Sequence, residues 1–329
     1  MSYNKSALAS TFILSHHSGE GSLPTPKQAN NQKSEITNYS ITFQHPMNFY
    51  AIASLLDLIV VIIVGIVLII KRDKAKSIRY FSIFNFFVIG WAIGYFFWQI
   101  SKDYNSAMIG VKILMFSAIW GAPAFFHFTL SVAEKESQLI TPVIVAYLMA
   151  IPFTFLNFTS PIFIAGLQTK LGISFFPTGG DLFFIFVLQW LWWFGWGFVE
   201  LFKAWKSSYE PEKKQFLGSF TLATLISIFA GSFNYFLWFD IPIPPITTMI
   251  VSVYGITITL MLLSKKNSNL SLFYFFIIAG IILIVSLAQF MVGYYLNMKS
   301  TQWLAITIIL ISILIVGLLY KKNKQTSHV

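Results

Sequence analysis

Apolar stretches long enough to cross a bilayer recur along most of the chain, and no other feature limits its fold as strongly. They fall near residues 47–70, 80–100, 107–132, 140–157, 182–202, 216–239, 246–264, 271–293 and 302–320. A helix crossing the hydrocarbon core needs about 20 predominantly apolar residues, and each run approaches or exceeds that. The fourth is the weakest, because Pro142 and Pro152 would shorten or kink it. Composition agrees: 56% of residues are hydrophobic and 10% charged, whereas soluble domains carry about 25% charged residues. The expected fold is all-α, a polytopic transmembrane helical bundle of about nine spans. Residues 47–264 would form a seven-helix core, and 265–329 would hold two additional helices and a short basic tail.

Basic residues set the orientation. With the N-terminus outside, the segments 71–79, 133–139, 203–215, 265–270 and 321–329 are cytoplasmic and hold fifteen of the 22 lysines and arginines. That is the positive-inside pattern of a multi-pass protein of the cell membrane. The cluster Lys71-Arg72-Asp73-Lys74-Ala75-Lys76 is its strongest element. Residues 1–46 are polar and near-neutral, and they read as a flexible extracytoplasmic tail without a signal peptide. The net charge of +10 sits in short clusters between apolar runs, which argues for lipid headgroups and against nucleic acid as the partner. The segment 203–215 reads as an amphipathic stretch at headgroup level. There is no cysteine, so thiolate metal sites and cysteine nucleophiles are excluded.

Charged residues inside spans are costly and become functional candidates by default. Asp57 in the first span and Lys112 in the third lie at similar depth from the outer edge. A pair between them would neutralise both. A structural pair, or a lysine reaching to the interface, weighs above a ligand latch. His127 lies near the inner end of the third span with no carboxylate spaced to meet it there, so structural hydrogen bonding is favoured over a proton relay. In the fifth span, Gln189-Trp190-Leu191-Trp192-Trp193-Phe194-Gly195-Trp196 places tryptophans all around the helix. Packing is the leading reading for them, and a cavity shared by Gln189 and Trp193 the sharper one. Trp91, Tyr95 and Trp98, with Asn234, Tyr235 and Trp238, fall in outer halves, so an outward pocket would be built from these. The candidate ligand-binding set is Asp57, Tyr95, Lys112, Gln189, Trp193 and Asn234. The long external segment 158–181, rich in Gly, Pro and Phe, is expected to lie over the mouth of the bundle. No protease, phosphate-loop or nucleophile motif is present, and no metal or cofactor site is read.

Three stretches carry a resemblance: Gly90-Trp91-Ala92-Ile93-Gly94-Tyr95-Phe96, Ala122-Pro123-Ala124-Phe125-Phe126-His127-Phe128, and the run from Pro211-Glu212-Lys213-Lys214-Gln215 to Gly231-Ser232-Phe233-Asn234-Tyr235-Phe236-Leu237. The last continues into Ile241-Pro242-Ile243-Pro244-Pro245. Together they resemble the N-terminal seven-transmembrane sensor region of bacterial histidine kinases over roughly residues 47–264. Asp240 departs from that pattern, which usually has glycine before the proline turn. No kinase domain or phosphoacceptor helix follows within the sequence, so the resemblance implies sensing or scaffold and not kinase activity. The expected function is a non-enzymatic membrane sensor for a small or lipophilic extracytoplasmic ligand that signals through a separate partner. A transporter or channel for a small molecule is the alternative. Self-association into a homo-oligomer stays open.

Overall fold

Seven helices follow one another in the computed structural model, which describes residues 49–71, 73, 75–171, 173–242 and 248–263. They are α1 (Phe49–Lys71), α2 (Lys76–Ile100), α3 (Tyr104–Val132), α4 (Ile140–Thr159), α5 (Phe183–Ser207), α6 (Pro211–Phe233) and α7 (Thr248–Leu263). A β-hairpin of β1 (Ile164–Lys170) and β2 (Ile173–Gly179) joins α4 to α5, and a 3₁₀ turn, Phe236–Phe239, follows α6. By length and composition, six helices among the described residues can cross a membrane, and α7 is a shorter apolar helix. The tail 1–46 and the spans expected at 271–293 and 302–320 lie outside the described residues.

Helices α1, α2, α3, α5, α6 and α7 pack each on the next, and α7 returns to α1 to close the circuit; α4 lies against α3. The α2–α3 contact is the closest. A methyl group at Gly94 would overlap the backbone of Gly110 and Leu114, and one at Gly110 would come 2.6 Å from Trp98 N. Small residues thus let two backbones meet, as helices in lipid require when burial of oil against oil gives no driving force. Asn85 adds a polar tie, donating from Nδ2 to the Val61 carbonyl at 3.1 Å. On the opposite side of α1, Ile52, Ile59, Ile63, Ile66 and Ile70 are exposed, a stripe suited to lipid.

Local chemistry sets the helix ends. Asp103 caps α3, accepting from Ser106 N at 2.9 Å, and these bonds hold its carboxyl below the usual carboxylate range. Pro211 opens α6 at its first turn, where a missing N–H costs nothing. Pro142 sits likewise in the first turn of α4, and Pro152 lies inside it, yet the helix runs unbroken for 20 residues. The segment 203–215 is not one amphipathic stretch: α5 ends at Ser207 and α6 begins at Pro211.

The hairpin is the departure from an all-helical reading, so the chain is mostly helical instead of wholly so. Its antiparallel register pairs Ile164 with Gly179 and Lys170 with Ile173. Leu171 takes φ 49° at the turn, the left-handed conformation that tight hairpins demand. Pairing satisfies backbone groups that a bare loop over apolar helix ends would leave without partners.

Candidate functional site

A cavity of about 120 Å³ lies inside the helix circuit. On α2 its wall is the stripe Phe84, Val88, Trp91, Tyr95 and Trp98, spaced three and four residues apart and so on one helix face. Across from it, α3 presents Ala118 and Gly121, and α6 presents Ser227, Gly231 and Asn234. Large aromatic side chains facing small ones leave the space. Trp190 and Phe194 of α5 close another side, their rings stacked at 4.1 Å, and Phe194 stacks at 4.1 Å on Phe125.

The hairpin and the 3₁₀ turn cover one end. Phe176 of β2 is a wall residue and meets the Trp98 ring at 5.2 Å, while Trp98 Nε1 donates to the Phe175 carbonyl at 2.7 Å. Trp238 of the turn is also in the wall and stacks on Phe183 at 4.5 Å. Lys170 fastens the two covers together. Its ammonium lies 2.9 Å from Asp240 Oδ1 and donates to the Leu237 carbonyl at 3.0 Å. Asp240 has φ 60°, so the position that usually holds glycine in the resembling sequences requires a left-handed residue, a conformation aspartate tolerates better than most.

Of the six expected site residues, Tyr95 and Asn234 line the cavity, together with Trp91, Trp98, Tyr235 and Trp238. The Tyr95 hydroxyl is buried, and it and Asn234 Oδ1 have no hydrogen-bond partner among the described residues. Asp57 is buried on α1 and, with Tyr50, lies near enough to act electrostatically on Tyr95. The Asp57–Lys112 pair does not form. Lys112 turns toward α4, donating to the Phe158 carbonyl at 3.1 Å, and Asn157 Nδ2 donates to the Lys112 carbonyl at 2.9 Å. Equal depth did not mean a shared face: α1 packs on α2 and α7, whereas this side of α3 meets α4. Gln189 and Trp193 are buried outside the cavity wall, with Trp193 packed on Phe126 at 5.2 Å. Trp190 and Phe194, one position further round the helix, stand in the wall instead. Trp192 is 61% exposed.

At the other end of the bundle, Glu136 of the α3–α4 loop receives a hydrogen bond from the Tyr80 hydroxyl at 2.5 Å and lies 3.9 Å from both His127 Nε2 and Lys76 Nζ. The carboxylate that His127 lacked within its span thus arrives from the following loop. His127 also packs on the Tyr80 ring at 3.9 Å. Next to it, Glu134 pairs with Lys213 at the start of α6 at 2.8 Å. These contacts place the start of α2, the 133–139 connection and the start of α6 at one end, and the hairpin and 3₁₀ turn at the other. Among the described residues, no group of three histidine, aspartate or glutamate side chains could hold a metal.

Helices of this length and hydropathy, packed around an internal aromatic cavity, define a multi-pass helical membrane protein. A family model described as the N-terminal 7TM region of histidine kinase matches residues 54–266, and the chain belongs to that family. The matched part is a membrane sensor region, distinct from the kinase domain. No curated protein and no solved structure matches the chain.

Proposed function

We propose that this protein senses a small or lipophilic molecule from the extracytoplasmic side and passes the resulting helix movement to a cytoplasmic signalling partner. The observation that carries the reading is the covered cavity, walled by α2, α3, α5 and α6. A ligand there touches four helices at once, and three of them run on to the end where Glu136, Glu134 and Lys213 tie the connections together. A change in helix position at one end is thereby felt at the other, which is what a binding equilibrium needs in order to bias two states.

The orientation belongs to the same proposal: the hairpin end faces outside and the Glu136 end faces the cytoplasm, as the basic residues demand. Because the chain has no cysteine, single cysteines at Lys135 and Ser160 report sidedness directly. In intact cells a membrane-impermeant maleimide should label Ser160→Cys and spare Lys135→Cys until the membrane is opened. The opposite pattern would invert the topology. Cross-linking in native membranes, followed by mass spectrometry, should recover a kinase, cyclase or response regulator. Recovery of this chain alone, together with solute uptake by proteoliposomes above empty vesicles, would replace sensing with transport.

A further inference from the structure

We infer that the cavity is loaded from the bilayer: a lipophilic molecule dissolved in the membrane enters sideways between α5 and α6, with Tyr235 as the gate. The inference rests on the sensing reading of the same cavity and adds the phase the ligand comes from and the path it takes.

The seam between α5 and α6 is hollow on both sides. Inside, Trp190 and Phe194 of α5 and Gly231 of α6 belong to the cavity wall. Outside, near the hairpin end, a groove is lined by Phe184, Leu188 and Leu191 of α5, Ser232 of α6, and Phe236 and Phe239 of the 3₁₀ turn. Residues 184, 188 and 191 share one helix face and all three are exposed, so the groove opens toward hydrocarbon. Ser232 spends its hydroxyl on the Ile228 carbonyl at 2.7 Å, which leaves a groove suited to an apolar occupant.

Tyr235, at the junction of α6 and the turn, belongs to both walls. Its ring meets Trp190 at 5.5 Å, Phe183 at 5.9 Å and Phe186 at 6.0 Å, each edge-on. Lipid tails are as apolar as these neighbours, so a ring swung outward trades one apolar contact for another. The seam is roomy beside it: a methyl group at Gly231 would come no closer than 3.6 Å to Trp190. The cover is fastened differently. Lys170 holds Asp240 at 2.9 Å and the Leu237 carbonyl at 3.0 Å, and Trp98 Nε1 donates to the Phe175 carbonyl at 2.7 Å. Opening toward water breaks these bonds, and the charge-assisted ones are the stronger kind. The less costly path runs through the seam.

The test uses the full chain in lipid nanodiscs and fluorine NMR of fluorobenzene, since about 120 Å³ approaches the roughly 150 Å³ of an apolar cavity that takes up benzene. Saturation transfer between the bound and lipid-dissolved signals gives the ligand exchange rate, and their areas give the affinity. Gly121→Leu and Ala118→Phe, which fill the cavity from α3, serve as blanks. Ser232→Phe, on the groove side, should slow ligand exchange about tenfold, a barrier raised by about 1.4 kcal/mol, and leave the affinity unchanged. A residue that only packs would shift affinity or folded yield instead. Tyr235→Ala should speed ligand exchange. Asp240→Gly, which releases Lys170 and keeps the left-handed backbone, should leave the rate as it was. Exchange that ignores both Ser232→Phe and Tyr235→Ala, or that Asp240→Gly speeds, would overturn entry from the bilayer and leave the sensing reading standing. Spectra matching both blanks would remove the cavity as a ligand site, and that reading with it.

Discussion

Lys170 at the end of β1 and Asp240 after the 3₁₀ turn meet at 2.9 Å, joining segments 70 positions apart. The lysine side chain is 7% exposed and the aspartate 65%, so the pair sits at an edge, with only the cation drawn inward. Two carbonyls, those of Pro177 and Leu237, complete the lysine's contacts at 3.4 and 3.0 Å. The contact therefore matters less as an isolated ion pair than as the tie between two covers of one cavity. It also separates two demands on Asp240, a left-handed backbone and a carboxylate. Asp240→Gly keeps the first and loses the second; Asp240→Ala loses both. The alanine variant should be less stable than the glycine variant by about 1–2 kcal/mol. Both should speed hydrogen exchange in 164–179. Equal melting temperatures for the two would show that the backbone conformation carries no cost.

Tyr95→Phe removes a hydroxyl that has no partner among the described residues and should leave the melting temperature of the empty protein unchanged or raised. Trp190→Ala, by contrast, strips a stacked ring from the same wall and should cost about 3–5 kcal/mol. Thermal unfolding in nanodiscs separates the two outcomes.

Gly94→Val should prevent α2 and α3 from meeting, since even a methyl group there overlaps the backbone of the other helix. The loss should exceed the roughly 1–3 kcal/mol of ordinary overpacking, because helix backbones give less readily than side chains. Gly195, whose added Cβ would meet nothing within 4 Å, is the control: Gly195→Ala should leave folded yield intact.

Glu136→Gln should loosen the 133–139 connection while keeping its size. The glutamine loses attraction to Lys76 and to His127 when protonated, and weakens the bond from Tyr80. Losing charge-assisted contacts of this kind should cost about 1.5–3 kcal/mol. Limited proteolysis in nanodiscs, which expose both faces, should show faster cleavage near Lys135.

Acid should unsettle the start of α3. The Asp103 carboxyl is held below its ordinary value by the backbone N–H and hydroxyl of Ser106. A depressed pKa in the folded state means that its contribution is fully present above the unfolded value, near pH 4, and is lost as pH falls through the folded one. Asp103→Asn keeps a capping oxygen without the titration, so α3 amide exchange in that variant should respond less to acid.

Much of the cavity is legible in the sequence. Trp91, Tyr95 and Trp98 recur at helical spacing near one end of one span, and Asn234, Tyr235 and Trp238 cluster at the end of another. All six line the cavity. Trp190 was not distinguishable from Trp193 in the same way. With tryptophans on every side of α5, no apolar stripe reveals which face turns inward, and a shift of one residue rotates the helix by about 100°. Asp57 and Lys112 fail for the same reason, since depth follows from counting residues whereas azimuth does not. The hairpin gave only its phenylalanines and turn glycines as a signal, enough to place it over the bundle and too little to pair its strands.

Six long membrane helices among the described residues, and a pattern of basic residues that argues for their orientation, can be read from the residues alone. Both follow from the cost of placing backbone and charge in hydrocarbon, which acts on each segment separately. Which faces meet emerges from the packed bundle, as do the turn of Lys112 to α4, the approach of Glu136 to His127 and the cover that Lys170 and Asp240 close over the aromatic cavity. Those outcomes depend on close packing between segments distant in sequence, where the volume of each side chain is weighed against its neighbours and no single segment contains the answer.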